Sequence, residues 1–140
     1  MDRSPRTLAL WGLWVATALM VAATLYVSLD ARYYFFHDDA QRAVWEWEPA
    51  GPLIMLAIIL LEAVVMAAVI ALKRPAALWL RALLALLPMV PWAFMSSMFV
   101  VHAPAYLILH ILWCWLLVLL LVGMLVVSAC VDLWRLSIRR

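Results

Sequence analysis

The chain has 140 residues, of which 71% are hydrophobic and 13% are charged, and its formal net charge is +2. Domains that fold in water carry about a quarter of charged residues, so this composition excludes a soluble globular domain. The sequence contains neither a glycine-rich phosphate loop nor a motif that pairs a nucleophile with a base, so we expect that the protein is not an enzyme.

Four apolar segments are long enough to cross a bilayer: residues 8–29, 53–72, 76–101 and 105–131. Each reaches the ~20 residues that a hydrocarbon core of ~30 Å requires. The first segment is longer than the 7–15 apolar residues of a signal peptide, so we predict that it is retained as a helix. The sequence therefore predicts an all-α membrane protein, with residues 1–140 forming a single unit of four transmembrane helices.

The connections between the helices predict how they are arranged. The second and third helices are joined by Lys73-Arg74-Pro75 and the third and fourth by a turn at residues 102–104, both too short for anything but antiparallel neighbours. We therefore predict two antiparallel hairpins, with an external loop at residues 30–52. Pro88 and Pro91 each remove a backbone hydrogen bond from the third helix, so we predict a kink there.

The basic residues predict the orientation in the membrane. Lys and Arg are enriched on the cytoplasmic side, and the first loop carries only Arg32 and Arg42. The other eight lie at the termini, in the second loop or just inside the third helix: Arg3, Arg6, Lys73, Arg74, Arg81, Arg135, Arg139 and Arg140. We expect both termini to face the cytoplasm, with the protein in a bacterial inner membrane.

The first loop mixes aromatic and acidic side chains. Its aromatic residues are Tyr33, Tyr34, Phe35, Phe36, Trp45 and Trp47. One interpretation is a segment that lies in the outer interface, with the rings at the depth of the headgroups. The other is a docking surface for a second protein, because exposed aromatic residues are common at the centres of interfaces.

Glu62 is a carboxylate near the middle of an otherwise apolar helix. Such a group costs roughly 2.5–3.5 kcal/mol at the bilayer centre, so it usually has a partner or a function. Arg81 on the third helix and Thr17 on the first are the predicted polar partners. Three roles stay open: a buried group that fixes helix register, a residue that couples to a proton or a substrate, and a contact with another protein's transmembrane helix.

The histidines and cysteines give weaker indications. A site at the outer face built from His37, His102 and His110 has suitable donors for a metal or haem, but no spacing specific to either, so we predict no cofactor. Cys114 and Cys130 lie about four helical turns apart, too far for a disulfide, and are interpreted as small apolar residues.

The sequence favours a small inner-membrane protein that binds another membrane component, as an accessory subunit or an immunity-type protein. The expected partners are the lipid bilayer and another membrane protein or a second copy of the chain, and not nucleic acid. The alternative is a small oligomeric transporter or channel with Glu62 as its coupling carboxylate. The predicted arrangement of this chain, four transmembrane helices with one buried glutamate, is similar to that of the small multidrug-resistance transporters. In that family the glutamate lies on the first helix, whereas Glu62 lies on the second. Metal or haem redox chemistry at the outer face is a third possibility.

Overall fold

The computed structural model describes residues 5–29, 50–72, 77–98 and 105–138. These residues form four helices: α1 (Pro5–Leu29), α2 (Ala50–Ala71), α3 (Leu78–Ser97) and α4 (Ala105–Ile138). Each helix is long and apolar enough to span a membrane. The prediction of an all-helical protein with four such helices is therefore confirmed.

The helix ends differ from the apolar segments of the sequence. Helix α3 ends at Ser97, and the next residue, Met98, donates its backbone N–H to the carbonyl of Met95, the tighter i→i−3 bond that commonly ends a helix. Helix α4 has 34 residues. At 1.5 Å per residue it is about 51 Å long, which exceeds the ~30 Å hydrocarbon core, so its charged last turns can lie beyond the core.

The core is formed mainly by α1, α2 and α4. Its most buried large side chains include Leu13 of α1, Ile59 of α2 and Trp113 of α4, each at most 1% exposed. Two fully buried alanines, Ala63 and Ala82, belong to the same cluster. Small residues allow helices to approach closely, which matters in a membrane because lipid offers no hydrophobic drive to bring helices together.

The outward side chains of all four helices are mainly apolar as well. Each helix carries leucines that point away from the bundle. Examples that are 64% to 68% exposed are, from α1 to α4 in order, Leu19, Leu61, Leu87 and Leu119. A helix bundle that is hydrophobic both inside and outside is stable in lipid and not in water. The surface therefore agrees with the composition in indicating a membrane protein.

The N-terminal ends of α2 and α4 approach each other closely at Gly51. A Cβ atom on Gly51 would lie 2.6 Å from the hydroxyl oxygen of Tyr106 on α4. Glycine is thus the residue that admits the Tyr106 ring at this contact. This contact helps to fix α2 and α4 side by side.

The helices do not pack on one another to the same extent. Helix α3 packs most extensively on α4, and α1 packs on α2, whereas α2 and α3 have few contacts although they follow each other in the chain. Pro88 and Pro91 both lie inside α3. The sparse contact between α2 and α3 leaves the space in which the candidate site lies.

Candidate functional site: a polar cluster between three helices

Glu62 lies about 18 Å along α2 from the start of that helix, and its Oε1 atom is the centre of a small polar cluster. The indole Nε1–H of Trp92 on α3 donates a hydrogen bond to Oε1 at 2.7 Å. On α4, the Nε2 atom of His110 lies 3.1 Å from the same oxygen, and the Sγ atom of Cys114 lies 3.9 Å from it. We call these four residues the Glu62 cluster.

The spacing of residues along α4 accounts for two members of the cluster. His110 and Cys114 are four residues apart, so they lie on one face of the helix. Their side chains contact each other, with Sγ 3.5 Å from Nε2. The Trp92 ring meets the His110 ring edge to face, with centroids 6.3 Å apart and an interplanar angle of 79°. Helices α3 and α4 therefore hold the three partners of Glu62 in one place.

Three members of the cluster are largely removed from the surroundings of the protein, whereas Trp92 is 46% exposed. The side chain of His110 is 4% exposed and that of Glu62 is 13% exposed, while Cys114 is fully buried. The second carboxylate oxygen of Glu62, Oε2, is buried and has no hydrogen-bond partner within the described residues. Buried polar atoms are normally satisfied, so a half-satisfied carboxylate at this depth points to a function.

A cavity of about 610 Å³ lies beside the cluster, between α2 and α3. Glu62 and Trp92 line it together with Arg81, and its other lining residues are apolar. Pockets that bind small molecules have volumes of roughly 300–1,000 Å³ and combine apolar walls with a few polar groups. In size and lining, this cavity is suited to a small ligand that carries apolar groups.

Arg81 and Thr17, the predicted polar partners of Glu62, form hydrogen bonds with backbone carbonyls in the described part of the chain. Arg81 is buried and lines the same cavity as Glu62, but its Nη1 atom contacts the backbone carbonyl of Ile70 at 3.4 Å. The hydroxyl of Thr17 donates to the carbonyl of Leu13, one turn back in its own helix, at 2.7 Å. The contacts of Glu62 come instead from Trp92, His110 and Cys114.

Other residues that the sequence singled out lie outside the described ranges. These are His37, His102 and all six aromatic residues of the proposed docking loop: Tyr33, Tyr34, Phe35, Phe36, Trp45 and Trp47. Of the three histidines, His110 is the one described, and it lies beside Glu62.

Sequence reasoning missed two members of the cluster, Trp92 and Cys114. The available signal for Cys114 was its position four residues after His110, which places a second donor on the face of α4 that carries the histidine. Trp92 follows Pro91 directly, and nothing in the sequence indicates which way its indole points. That direction depends on how α3 is rotated against α2.

A second cavity, of about 780 Å³, is lined by Arg6, Asp132 and Arg135 among mostly apolar residues. Its charged groups lie towards the ends of α1 and α4. Charged residues are expected at such positions in any spanning helix, where they reach the interface. The cavity beside Glu62 has its carboxylate in mid-helix and is therefore the stronger candidate.

The Glu62 cluster combines a carboxylate, an imidazole and a thiol in a largely buried place next to a cavity. Such groups can exchange protons or bind a cation. No protein-family model matches the chain, and no curated protein or solved structure matches it either.

Proposed function

We propose that the protein is a small transporter for amphiphilic cations, with Glu62 as the carboxylate that couples transport to protons. The observation that carries this proposal is the position of Glu62 in the middle of a helix, on the wall of a mostly apolar cavity of about 610 Å³ and in contact with a histidine. Carboxylates and histidines inside membranes commonly form proton relays.

The residues of the cluster have separate roles in this proposal. Glu62 binds either a proton or the cationic group of the substrate, so a proton and a substrate compete for one carboxylate. His110 accepts or returns the proton at its Nε2 atom, 3.1 Å from Oε1. Trp92 holds Oε1 in place by its indole N–H and offers an aromatic surface to a cation at the cavity wall.

The proposal includes an arrangement in the membrane. Helices α1 and α2 form one antiparallel hairpin and α3 and α4 the other, which is supported by the packing of α1 on α2 and of α3 on α4. Pro88 and Pro91 kink α3 next to Trp92. Both termini face the cytoplasm of a bacterium, as the distribution of Lys and Arg indicates, and the transporting unit is an oligomer of this chain.

Transport of a model cation tests the proposal. The chain is reconstituted into vesicles, and the uptake of tetraphenylphosphonium is followed with and without an imposed pH gradient. We expect uptake that depends on the gradient and that falls to the level of protein-free vesicles in Glu62→Gln, because the amide cannot exchange a proton. Asp132→Asn is the matched control, since it removes the other described carboxylate, and we expect it to retain wild-type uptake.

Two results would contradict this function. One is wild-type protein that takes up no more tetraphenylphosphonium than empty vesicles do. The other is Glu62→Gln protein that transports at the wild-type rate, because the coupling role requires an ionisable group at that position. Circular dichroism of each variant shows whether its helices are intact, so a loss of uptake is interpreted only for folded protein.

Binding of a membrane partner is the second candidate function, as an accessory subunit or an immunity-type protein. The observation that favours it is the gap between α2 and α3, which leaves Leu61 of α2 64% exposed on the wall of a cavity that also holds Glu62. A partner's transmembrane helix with a polar residue at that depth can fill this space.

A photoreactive amino acid at position 61 tests this candidate in native membranes. We expect it to crosslink to one stoichiometric partner, whereas the same probe at Leu19, which is 68% exposed on α1, should not. A tagged protein that crosslinks equally at both positions, or that is recovered as a monomer without any partner, would contradict partner binding.

A further inference from the structure

We propose that Glu62, His110 and Cys114 form a binding site for a divalent transition-metal ion of the zinc class. This inference goes beyond the proposed transport of organic cations, because it concerns equilibrium binding of an inorganic ion by residues that α2 and α4 bring together. The site differs from the one suggested by the sequence, which was built from His37, His102 and His110 at the outer face. Of those three residues, His110 alone belongs to it.

The three donor atoms have the spacing of ligands around one ion. The separations are 3.1 Å between Oε1 and Nε2, 3.5 Å between Nε2 and Sγ, and 3.9 Å between Oε1 and Sγ. Tetrahedral zinc, with bonds of about 2.0–2.2 Å to N and O and about 2.3 Å to S, places its ligand atoms about 3.4–3.6 Å apart. Shifts of about 0.3 Å, which small side-chain rotations provide, bring the donors to that geometry.

The donor types also select the class of ion. A carboxylate oxygen, an imidazole nitrogen and a thiolate sulfur together suit a borderline ion such as Zn²⁺ or Co²⁺, whereas Mg²⁺ and Ca²⁺ prefer oxygen ligands alone. A divalent ion with one carboxylate and one thiolate is also neutral overall. Neutrality matters in this largely buried place, because an uncompensated charge is expensive in an apolar environment.

Binding of the ion is coupled to the release of protons from its ligands. The Cys114 thiol gives up its proton when Sγ binds the ion, and this proton passes to the solvent. His110 binds through Nε2 as a neutral imidazole, so any proton on Nε2 must leave or move to Nδ1. Binding of each ion therefore releases at least one proton from the protein. For this reason the affinity of the site for the ion increases with pH.

The surroundings of the three ligands supply the other parts of a metal site. Trp92 donates its N–H to Oε1 of Glu62. Hydrogen bonds of this kind hold a metal ligand in the orientation that binding requires. Oε2 has no hydrogen-bond partner within the described residues, so it is available as a second oxygen for the ion. The adjoining cavity, which Glu62 lines, offers an entry path and room for a further ligand.

A titration with Co²⁺ tests the site without any transport assay. The full chain is purified in detergent with a tag that contains no histidine, and the absorption bands of a cobalt–thiolate bond are followed as Co²⁺ is added. We expect saturation at one ion per chain and displacement of Co²⁺ by Zn²⁺. Cys114→Ser should abolish the thiolate band, whereas Cys130→Ala, which removes the exposed cysteine of the same helix, should leave it unchanged.

The other variants measure affinity. We expect Glu62→Gln and His110→Gln each to weaken Zn²⁺ binding by about 100-fold or more, because loss of an outer-shell partner alone costs about 10–100-fold. Trp92→Phe should weaken it by about 10-fold for that reason. Asp132→Asn should bind as the wild type does.

The outcomes separate this inference from the proposed function. Wild-type protein that shows no saturable Co²⁺ band, or a Cys114→Ser variant that keeps the band, overturns the metal site. If such protein still transports tetraphenylphosphonium, the metal site alone is rejected. Saturable Co²⁺ binding by protein that transports nothing supports the metal site and contradicts the transport proposal.

Discussion

Replacement of Trp113 by alanine is expected to lower the free energy of unfolding by about 3–5 kcal/mol, the usual cost of removing a large aromatic side chain from a packed core. Trp113 is fully buried and belongs to the cluster that joins α1, α2 and α4. In a membrane the lost energy is mainly dispersion, because lipid tails are as apolar as the core and offer no hydrophobic drive. Unfolding of the detergent-solubilised protein by SDS, followed by circular dichroism, measures the change.

Two further tryptophan variants make this prediction specific. Trp134→Ala removes a side chain that is 67% exposed near the end of α4, and we expect a change within about 0.5 kcal/mol. Trp113→Phe keeps an aromatic ring and removes an indole N–H that has no hydrogen-bond partner within the described residues, so it should cost less than about 1.5 kcal/mol. Equal losses in Trp113→Ala and Trp134→Ala would show that this core does not carry the stability.

The four helices could be predicted from the sequence because the length of an apolar segment and the thickness of a bilayer are nearly sufficient to define a spanning helix. Their ends were harder to place, since a helix does not have to stop where its apolar residues stop. Helix α4 continues through Asp132 and Arg135 to Ile138. These charged residues are acceptable because a helix of about 51 Å extends past the hydrocarbon core.

The sequence also identified Glu62, but it did not identify the residues that contact it. The depth of a residue follows from its position along a helix, whereas its neighbours depend on how each helix is rotated about its axis. Arg81 was expected near Glu62 from depth alone, and it does line the same cavity. Contacts with the carboxylate came instead from Trp92 and from His110, whose directions no linear pattern gives.

Cys114 shows a second limit of sequence reasoning. A lone cysteine in an apolar helix is most often a small buried side chain, and the sequence was interpreted in that way. Its significance comes from Glu62 and His110, with which it lies inside a group of donors that are all within 4.8 Å of one another. Only the packing of α2 against α4 produces that group.

The contact between Glu62 and His110 leads to the second prediction of a large effect. His110→Leu should lower the free energy of unfolding by about 3 kcal/mol or more, because it leaves a largely buried carboxylate without one of its partners. The double variant Glu62→Leu/His110→Leu removes both the carboxylate and the imidazole. We expect its stability to return to within about 1 kcal/mol of the wild type, since replacing both members of a buried polar pair with apolar side chains is often nearly neutral.

SDS unfolding of Glu62→Leu, His110→Leu and the double variant measures the coupling between these residues. Additive losses in the double variant would mean that Glu62 and His110 do not stabilise each other.

The same variants also separate the possible roles of Glu62. If the carboxylate only fixes helix register, the stable double variant should keep the uptake of tetraphenylphosphonium. If Glu62 couples protons to transport, the double variant should be as stable as the wild type and inactive. Stability requires only that no buried polar group lacks a partner, whereas proton coupling requires ionisable side chains at these positions.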